Sequence, residues 1–228
     1  MNKENYNQEE HFDDFAYDWW NKTGNYRLLH KLNPLRLEYI TSRFDVRDKK
    51  ILDIGCGGGI LTEELNKIGA EVTGIDSSEK SIKIAKQHAR EQMLDIKYIN
   101  SSILEITNLD NYDCIVCFEM IEHVSAPNKL IEKIRELSSE NCHLFMSTIN
   151  RNLKSFIFAK IMAEYILDIV PKGTHQYSKF VTPYELDQLL VKSQFNLNNL
   201  SGIRYNPLDE SFSLSQNTDI NYFLHAQR

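Results

Sequence analysis

The chain of 228 residues is short of several things, and each shortage excludes a class of protein. Nine Gly and five Pro are too few for a collagen-like or low-complexity chain. No apolar run approaches the roughly 20 residues that a membrane-spanning helix needs. The longest stretch free of Asp, Glu, Lys and Arg runs from Ser193 to Ile203 and is rich in Asn and Ser. The first ten residues, Met1 to Glu10, have neither the apolar centre of a signal peptide nor the Arg-rich, acid-poor character of a transit peptide. Positive charge is also scarce: 26 Lys and Arg stand against 32 Asp and Glu, a net charge of −6. A partner recognised through phosphate neutralisation is therefore not expected, so no nucleic acid. Only four cysteines occur, Cys56, Cys114, Cys117 and Cys142. Cys114 and Cys117 form a C-x-x-C with no second pair, in a segment that reads as a strand. Positions three apart on a strand point to opposite faces, so both are expected to be buried thiols. A cytoplasmic globular protein is expected.

What is present is an ordinary core: 42% apolar and 25% charged residues, in a chain long enough for one domain. Phe12, Phe15, Ala16 and Trp19 recur at the spacing of one helical face. A second helix is expected over Pro34 to Arg43, with Asn33 as its N-cap. From Lys49 onward short apolar strands alternate with helices. Strands are expected at Lys49 to Ile54, Glu71 to Asp76, Ile96 to Ile99, Cys114 to Phe118 and His143 to Thr148. Helices are expected after the glycines at 55–59 as far as Gly69, over Ser78 to Gln92, and after Ser125 (as cap) and Pro127. A helix over Phe180 to Lys192, capped by Thr182, and two strands, Phe195 to Gly202 and Ile220 to Gln227, close the chain. The pattern predicts an α/β fold: a doubly wound, mostly parallel, seven-stranded sheet with helices on both faces. Within one domain, 1–228, residues 1–48 are expected as an N-terminal helical cap and 49–150 as the ligand-binding half. Residues 151–180 are expected as an inserted lid or membrane-facing segment, and 181–228 as the last helix and strand pair.

Asp53-Ile54-Gly55-Cys56-Gly57-Gly58-Gly59 follows a strand and opens a helix. Glycine there lets the backbone approach a ligand, and the helix end offers free N–H groups. A tight turn and nothing more is the plain alternative. Asp76 ends the next strand, where a carboxylate can accept both hydroxyls of a ribose. A dinucleotide fingerprint would place a third glycine where Ile60 stands. Asp53 would repel a pyrophosphate but suits an ammonium group, as S-adenosylmethionine carries. An NAD-type oxidoreductase remains the rival.

Asn33-Pro34-Leu35-Arg36, Glu119-Met120-Ile121-Glu122-His123-Val124, Thr148-Ile149-Asn150-Arg151 and Val170-Pro171-Lys172-Gly173-Thr174-His175 lie in order around that loop. So do Ala163-Glu164-Tyr165-Ile166, Tyr205-Asn206-Pro207 and Asp219-Ile220-Asn221-Tyr222. Together they resemble the ubiquinone-biosynthesis O-methyltransferases, within the class I S-adenosylmethionine-dependent methyltransferases, over about Phe12 to Ala226. The resemblance implies methylation of a catechol-type hydroxyl on a polyprenylated precursor, and work beside other ubiquinone-biosynthesis enzymes. It implies that Arg36 pairs with the methionine carboxylate, that Gly55 offers its backbone to the methionine end, that Asp76 holds the ribose, and that Met120 contacts the cofactor; Asp53 and Gly57 are counted with them as cofactor-binding.

If the segment after the fourth strand turns like a helix, Glu119, Glu122 and His123 share one side. Two carboxylates and an imidazole suit Mg²⁺, which would bind both oxygens of a catechol and lower the phenolic pKa. Without a metal, His123 serves as general base. A purely structural Glu-His-Val before a Pro-started helix stands beside both. Phe156 to Val170 is apolar except for Lys160, Glu164 and Asp168, and is followed by Lys172, His175 and Lys179. A buried core helix is one expectation. The other is a surface that reversibly meets an anionic membrane, making the protein peripheral at the inner face. Further alternatives are a methyltransferase for another phenolic or lipid acceptor, for nucleic acid or for protein, and a non-catalytic cofactor-binding scaffold.

Overall fold

The computed structural model describes residues 16–107, 111–152, 155 and 179–228. Helix α1 (Arg27–Thr41) precedes β1 (Lys50–Ile54), which leads into α2 (Ile60–Lys67). Then come β2 (Glu71–Asp76), α3 (Glu79–Glu91), β3 (Lys97–Asn100) and β4 (Tyr112–Phe118). Helix α4 (Pro127–Leu137) runs directly into β5 (Ser138–Ile149). After α5 (Pro183–Lys192) the chain ends in three strands, β6 (Asn196–Asn206), β7 (Ser211–Ser215) and β8 (Asn221–Gln227). They form one sheet in the order β3-β2-β1-β4-β5-β8-β6-β7. The first five strands of that order are parallel, and β8 lies antiparallel between β5 and β6.

The strands are apolar throughout because both faces are covered. Alternation sends Ile51, Cys114 and Val116 to a core shared with Tyr39 and Ile40 of α1 and Leu61 and Leu65 of α2. Leu52, Ile54, Ile115 and Cys117 face the opposite core, with Leu130 and Ile134 of α4 and Leu186 and Leu190 of α5. Cys114 and Cys117 thus part company as expected, and all four cysteines are free and buried. Helix starts follow their caps. The Ser81 N–H donates to the Ser78 hydroxyl, and Thr182 with Glu185 forms a reciprocal capping box.

Five expectations need correction. The sheet has eight strands, not seven, because Ser211–Ser215 folds back on β6 as a hairpin. Helix α1 starts seven residues before Pro34, which lies inside it. Burial of Leu28, Leu32, Leu35, Tyr39 and Ile40 along one face outweighs the backbone bond that proline cannot make. Asn33 is therefore not a cap; its buried amide donates to the Ile60 carbonyl at 3.2 Å. Ala126, not Ser125, precedes α4 and makes no side-chain cap. Trp19 follows a short 3₁₀ turn, Ala16–Asp18, and is not part of a long helix. Phe12 and Phe15, and the apolar segment from Phe156 to Val170 with Lys172 and His175, lie outside the described residues.

Candidate active site

The strand order reverses between β1 and β4, and the loops following β1, β2 and β4 gather at that crevice. Gly55 takes a left-handed φ of +76°, and a Cβ there would stand 3.1 Å from Cγ of Met120. The amides of Gly55 and Cys56 both donate to the Ile75 carbonyl, at 2.8 and 3.0 Å, which ties the glycine loop to β2. Asp76 closes the same unit: one carboxylate oxygen accepts the Gly57 N–H at 2.9 Å and the other the Ser78 N–H at 2.8 Å. Gly55, Gly57, Asp76 and Met120 are thus brought together.

Beside the loop two buried charges of opposite sign remain. Asp53, at the end of β1, accepts the Thr62 hydroxyl at 2.6 Å. Burial pushes its carboxyl up to about 6, with Thr62 and Arg36 opposing and Asp76 adding to the rise. Arg36, buried on α1, lies with its guanidinium carbon 5.5 Å from the Phe118 ring centroid, and its Nε has no hydrogen-bond partner among the described residues. Burial lowers its pKa, while the carboxylates of Glu119, Asp53 and Glu122 work to keep it charged. A buried cation with an open donor and a buried acid that ionises with difficulty match the two ends of an α-amino acid. The cation would take the carboxylate, and the acid would take the ammonium.

Past β4 the chain turns sharply. Glu119 has a φ of +51°, a conformation that a residue other than glycine holds only where its surroundings enforce it. Its N–H donates to the Ser147 carbonyl at 3.1 Å, and the Ser147 hydroxyl donates to its carboxylate at 2.6 Å. The Thr148 hydroxyl donates to the Glu122 carboxylate at 2.8 Å. Burial first, and the Glu119 carboxylate second, hold the Glu122 carboxyl well above the usual range. Ile121–His123 is a single 3₁₀ turn, with Glu122 buried and His123 exposed. The expected helical turn from Glu119 to His123 is therefore not formed: the Glu119 and Glu122 carboxyls meet, and His123 is the exposed last residue of the 3₁₀ turn. Among the described residues no three His, Cys, Asp or Glu side chains are arranged to hold a metal ion. Sequence reasoning missed Ser147 and Thr148 as the supports of the two glutamates. Their place at the end of β5, beside Phe118, was the available signal.

Asp76→Ala is expected to weaken binding of S-adenosylhomocysteine by roughly 10- to 100-fold in calorimetric titration, from the loss of charge-assisted hydrogen bonds worth about 1.5–3 kcal/mol. Unchanged affinity would remove Asp76 from the ligand site.

A family profile described as a methyltransferase domain matches residues 20–201. A ubiquinone biosynthesis O-methyltransferase from Vibrio vulnificus is 41% identical over 225 residues, covering 97% of this chain and 96% of that protein. A protein of the same name from Coxiella burnetii is 42% identical over the same shares. Among solved structures, a magnesium protoporphyrin IX methyltransferase from Synechocystis with bound S-adenosylhomocysteine superposes with a TM-score of 0.70. It is 18% identical and covers 97% of both chains. An N-methyltransferase from Bradyrhizobium japonicum, also with S-adenosylhomocysteine, gives 0.68 at 15% identity over 97% of this chain and 98% of its own. These structural likenesses establish the fold.

Proposed function

The chain belongs to the ubiquinone biosynthesis O-methyltransferases, and from that premise we propose that it methylates a catechol-type hydroxyl of a polyprenylated ubiquinone precursor with S-adenosylmethionine. The observation that carries the cofactor half is the pairing of buried Arg36 and Asp53 beside a glycine loop tied to Asp76. Arg36 receives the methionine carboxylate, Asp53 the ammonium, and Asp76 the ribose hydroxyls. Met120, packed against Gly55, borders the methionine end.

Methyl transfer from a sulfonium is a direct displacement: the acceptor oxygen forms a bond to the methyl carbon as the carbon–sulfur bond breaks. The protein's share is to align the two, exclude water and receive the phenolic proton. His123 stands where the chain leaves the site and is the proposed base; Glu122 is held protonated by burial and Glu119. The donor chemistry fits Mg²⁺, since the Glu119 and Glu122 carboxylates, supported by Ser147 and Thr148, are the hard oxygen ligands such an ion takes. Glu119 and Glu122 would hold it. When bound, the ion would lower the pKa of the catechol oxygens.

The acceptor's tail brings the protein to a bilayer. No helix among the described residues is long and apolar enough to cross a membrane. Reversible contact with an anionic surface through 151–180 is proposed from the apolar run 156–170 and the basic residues after it.

Turnover of labelled S-adenosylmethionine tests these assignments. Label should pass to catechols and not to monophenols, and more strongly to a long-tailed acceptor in anionic vesicles than in neutral ones. Excess chelator should abolish transfer, and Mg²⁺ should restore it. Full activity in chelator would leave His123 acting without a cation; equal transfer to monophenols would overturn the catechol assignment.

A further inference from the structure

The only two tryptophans of the chain, Trp19 and Trp20, both lie against the glycine loop. Trp19 covers the loop face on. A Cβ on Gly57 would come 2.5 Å from its Cη2, and one on Gly58 would come 2.4 Å from its Cγ. Its indole N–H donates to the Ser81 hydroxyl on α3 at 3.1 Å, and its ring stacks on Tyr26 at 4.0 Å. Trp20 donates its indole N–H to the Gly58 carbonyl at 3.0 Å. Behind it, the imidazole of His88 stacks on the indole at 3.5 Å between centroids and 7° between planes. Nδ1 of His88 in turn lies 2.7 Å from a carboxylate oxygen of Glu63, which is fully buried on α2.

None of these groups takes part in the chemistry described above. A carboxylate at a fully buried helix position is costly unless it is paired, and an apolar residue would fill the space more simply. The Glu63 carboxylate instead fixes the plane of an imidazole, the imidazole supports an indole, and the indole N–H holds one carbonyl of the glycine loop. That carbonyl belongs to the residue between Gly57, whose amide faces Asp76, and Gly59, whose left-handed φ of +89° starts α2. Rotation of the Gly58–Gly59 peptide would change the φ of Gly59 on which the start of α2 depends.

We propose that Trp20 is a positioning residue for the cofactor, which together with His88 and Glu63 clamps the glycine loop in its ligand-ready shape while Trp19 packs on Gly57 and Gly58. The clamp rests on the assignment of this loop to S-adenosylmethionine. It acts on affinity and not on the methyl transfer itself.

The test compares wild type, Trp20→Phe, Trp20→Ala and His88→Gln. Trp20→Phe keeps a ring on His88 and loses only the N–H, so S-adenosylhomocysteine should bind about fivefold more weakly, the size of one net hydrogen bond. Trp20→Ala should lose at least tenfold, and His88→Gln should shift affinity in the same direction. The KM for S-adenosylmethionine should rise in step, with kcat at saturating cofactor and the KM for the acceptor unchanged. Amide exchange should quicken at 55–59 in each variant and stay at the wild-type rate in β5 and β8, which separates a local clamp from general loss of stability. Wild-type affinity and unchanged loop exchange in Trp20→Phe and His88→Gln would overturn the proposal, whether or not Trp20→Ala folds. Failure of wild type to bind S-adenosylhomocysteine at all would instead overturn the assignment of the site.

Discussion

Arg36→Met is expected to weaken S-adenosylhomocysteine binding by at least about 100-fold, since removing one partner of a buried charge pair costs on the order of 2–5 kcal/mol. The guanidinium is buried, its Nε is unpartnered among the described residues, and its charge is held up by Glu119, Asp53 and Glu122. Without it, a ligand carboxylate would enter beside Glu119, Asp53 and Glu122 with no guanidinium to receive it. The loss should be selective. 5′-Methylthioadenosine, which keeps the adenosine and lacks the amino-acid carboxylate, should bind wild type and Arg36→Met alike. Arg36→Lys should recover only part of the affinity, because an ammonium cannot grip a carboxylate with two parallel bonds. Near-wild-type binding of S-adenosylhomocysteine by Arg36→Met would place the carboxylate elsewhere.

A second large effect concerns acid. His225 on β8 is buried, its Nε2 lies 3.0 Å from Nδ1 of His143 on β5, and the ring stacks on Phe145 at 4.6 Å. Burial, with His143 and Arg43 adding to it, lowers the His225 pKa from 6.5 to about 4. The unfolded chain therefore binds this proton more readily than the folded one. The stability tied to neutral His225 is complete above about 6.5 and is lost as the pH falls towards 4. Between pH 7 and pH 5 the loss comes to about 2 kcal/mol, or ~4–8 °C in Tm for a chain of this size. Buried Asp53 and Glu122 act in the opposite sense, since their carboxyls are raised and acid favours their folded, neutral forms. His225→Gln isolates the histidine: urea titrations at the two pH values should show a difference smaller by ~2 kcal/mol than in wild type. An equal pH response in both proteins would show that His225 takes up its proton in the folded state.

What could be read from the sequence was what is local. Asp53, the glycines and Asp76 sit within one strand–turn–helix–strand unit, where spacing alone says which groups meet. Period-2 and period-3.6 apolar patterns likewise located β1, β2, α3 and α5 to within two or three residues. The failures came where distant packing decides. Pro34 resembles a helix start, yet the buried face of Leu28 and Leu32 carries the helix through it. Helical spacing put Glu119, Glu122 and His123 on one side, but hydrogen bonds exchanged with Ser147 hold Glu119 in a left-handed turn. Strand β7 alternates Ser-Phe-Ser-Leu-Ser and was legible in principle; its few apolar residues hid it. The tryptophan clamp draws on residues at 20, 58, 63 and 88, which no spacing rule connects.

The sheet order also bears on how the chain comes into being. Strand β8 follows β6 and β7 in the chain but lies between β5 and β6 in the sheet. Closing the sheet therefore requires β8 to pair with β5 on one side and β6 on the other. Tyr222, Phe223 and Leu224, all fully buried, fill the gap between them. Until that non-local pairing forms, which loop-closure entropy slows, the facing edges of β5 and β6 are open to other chains. The contacts of Glu210 with Arg27 and Lys31 of α1 hold the hairpin to the N-terminal helix in the finished fold. They tie the β6–β7 hairpin to α1 without passing through β8, so displacing β8 would bare the edge of β6 while leaving the hairpin attached.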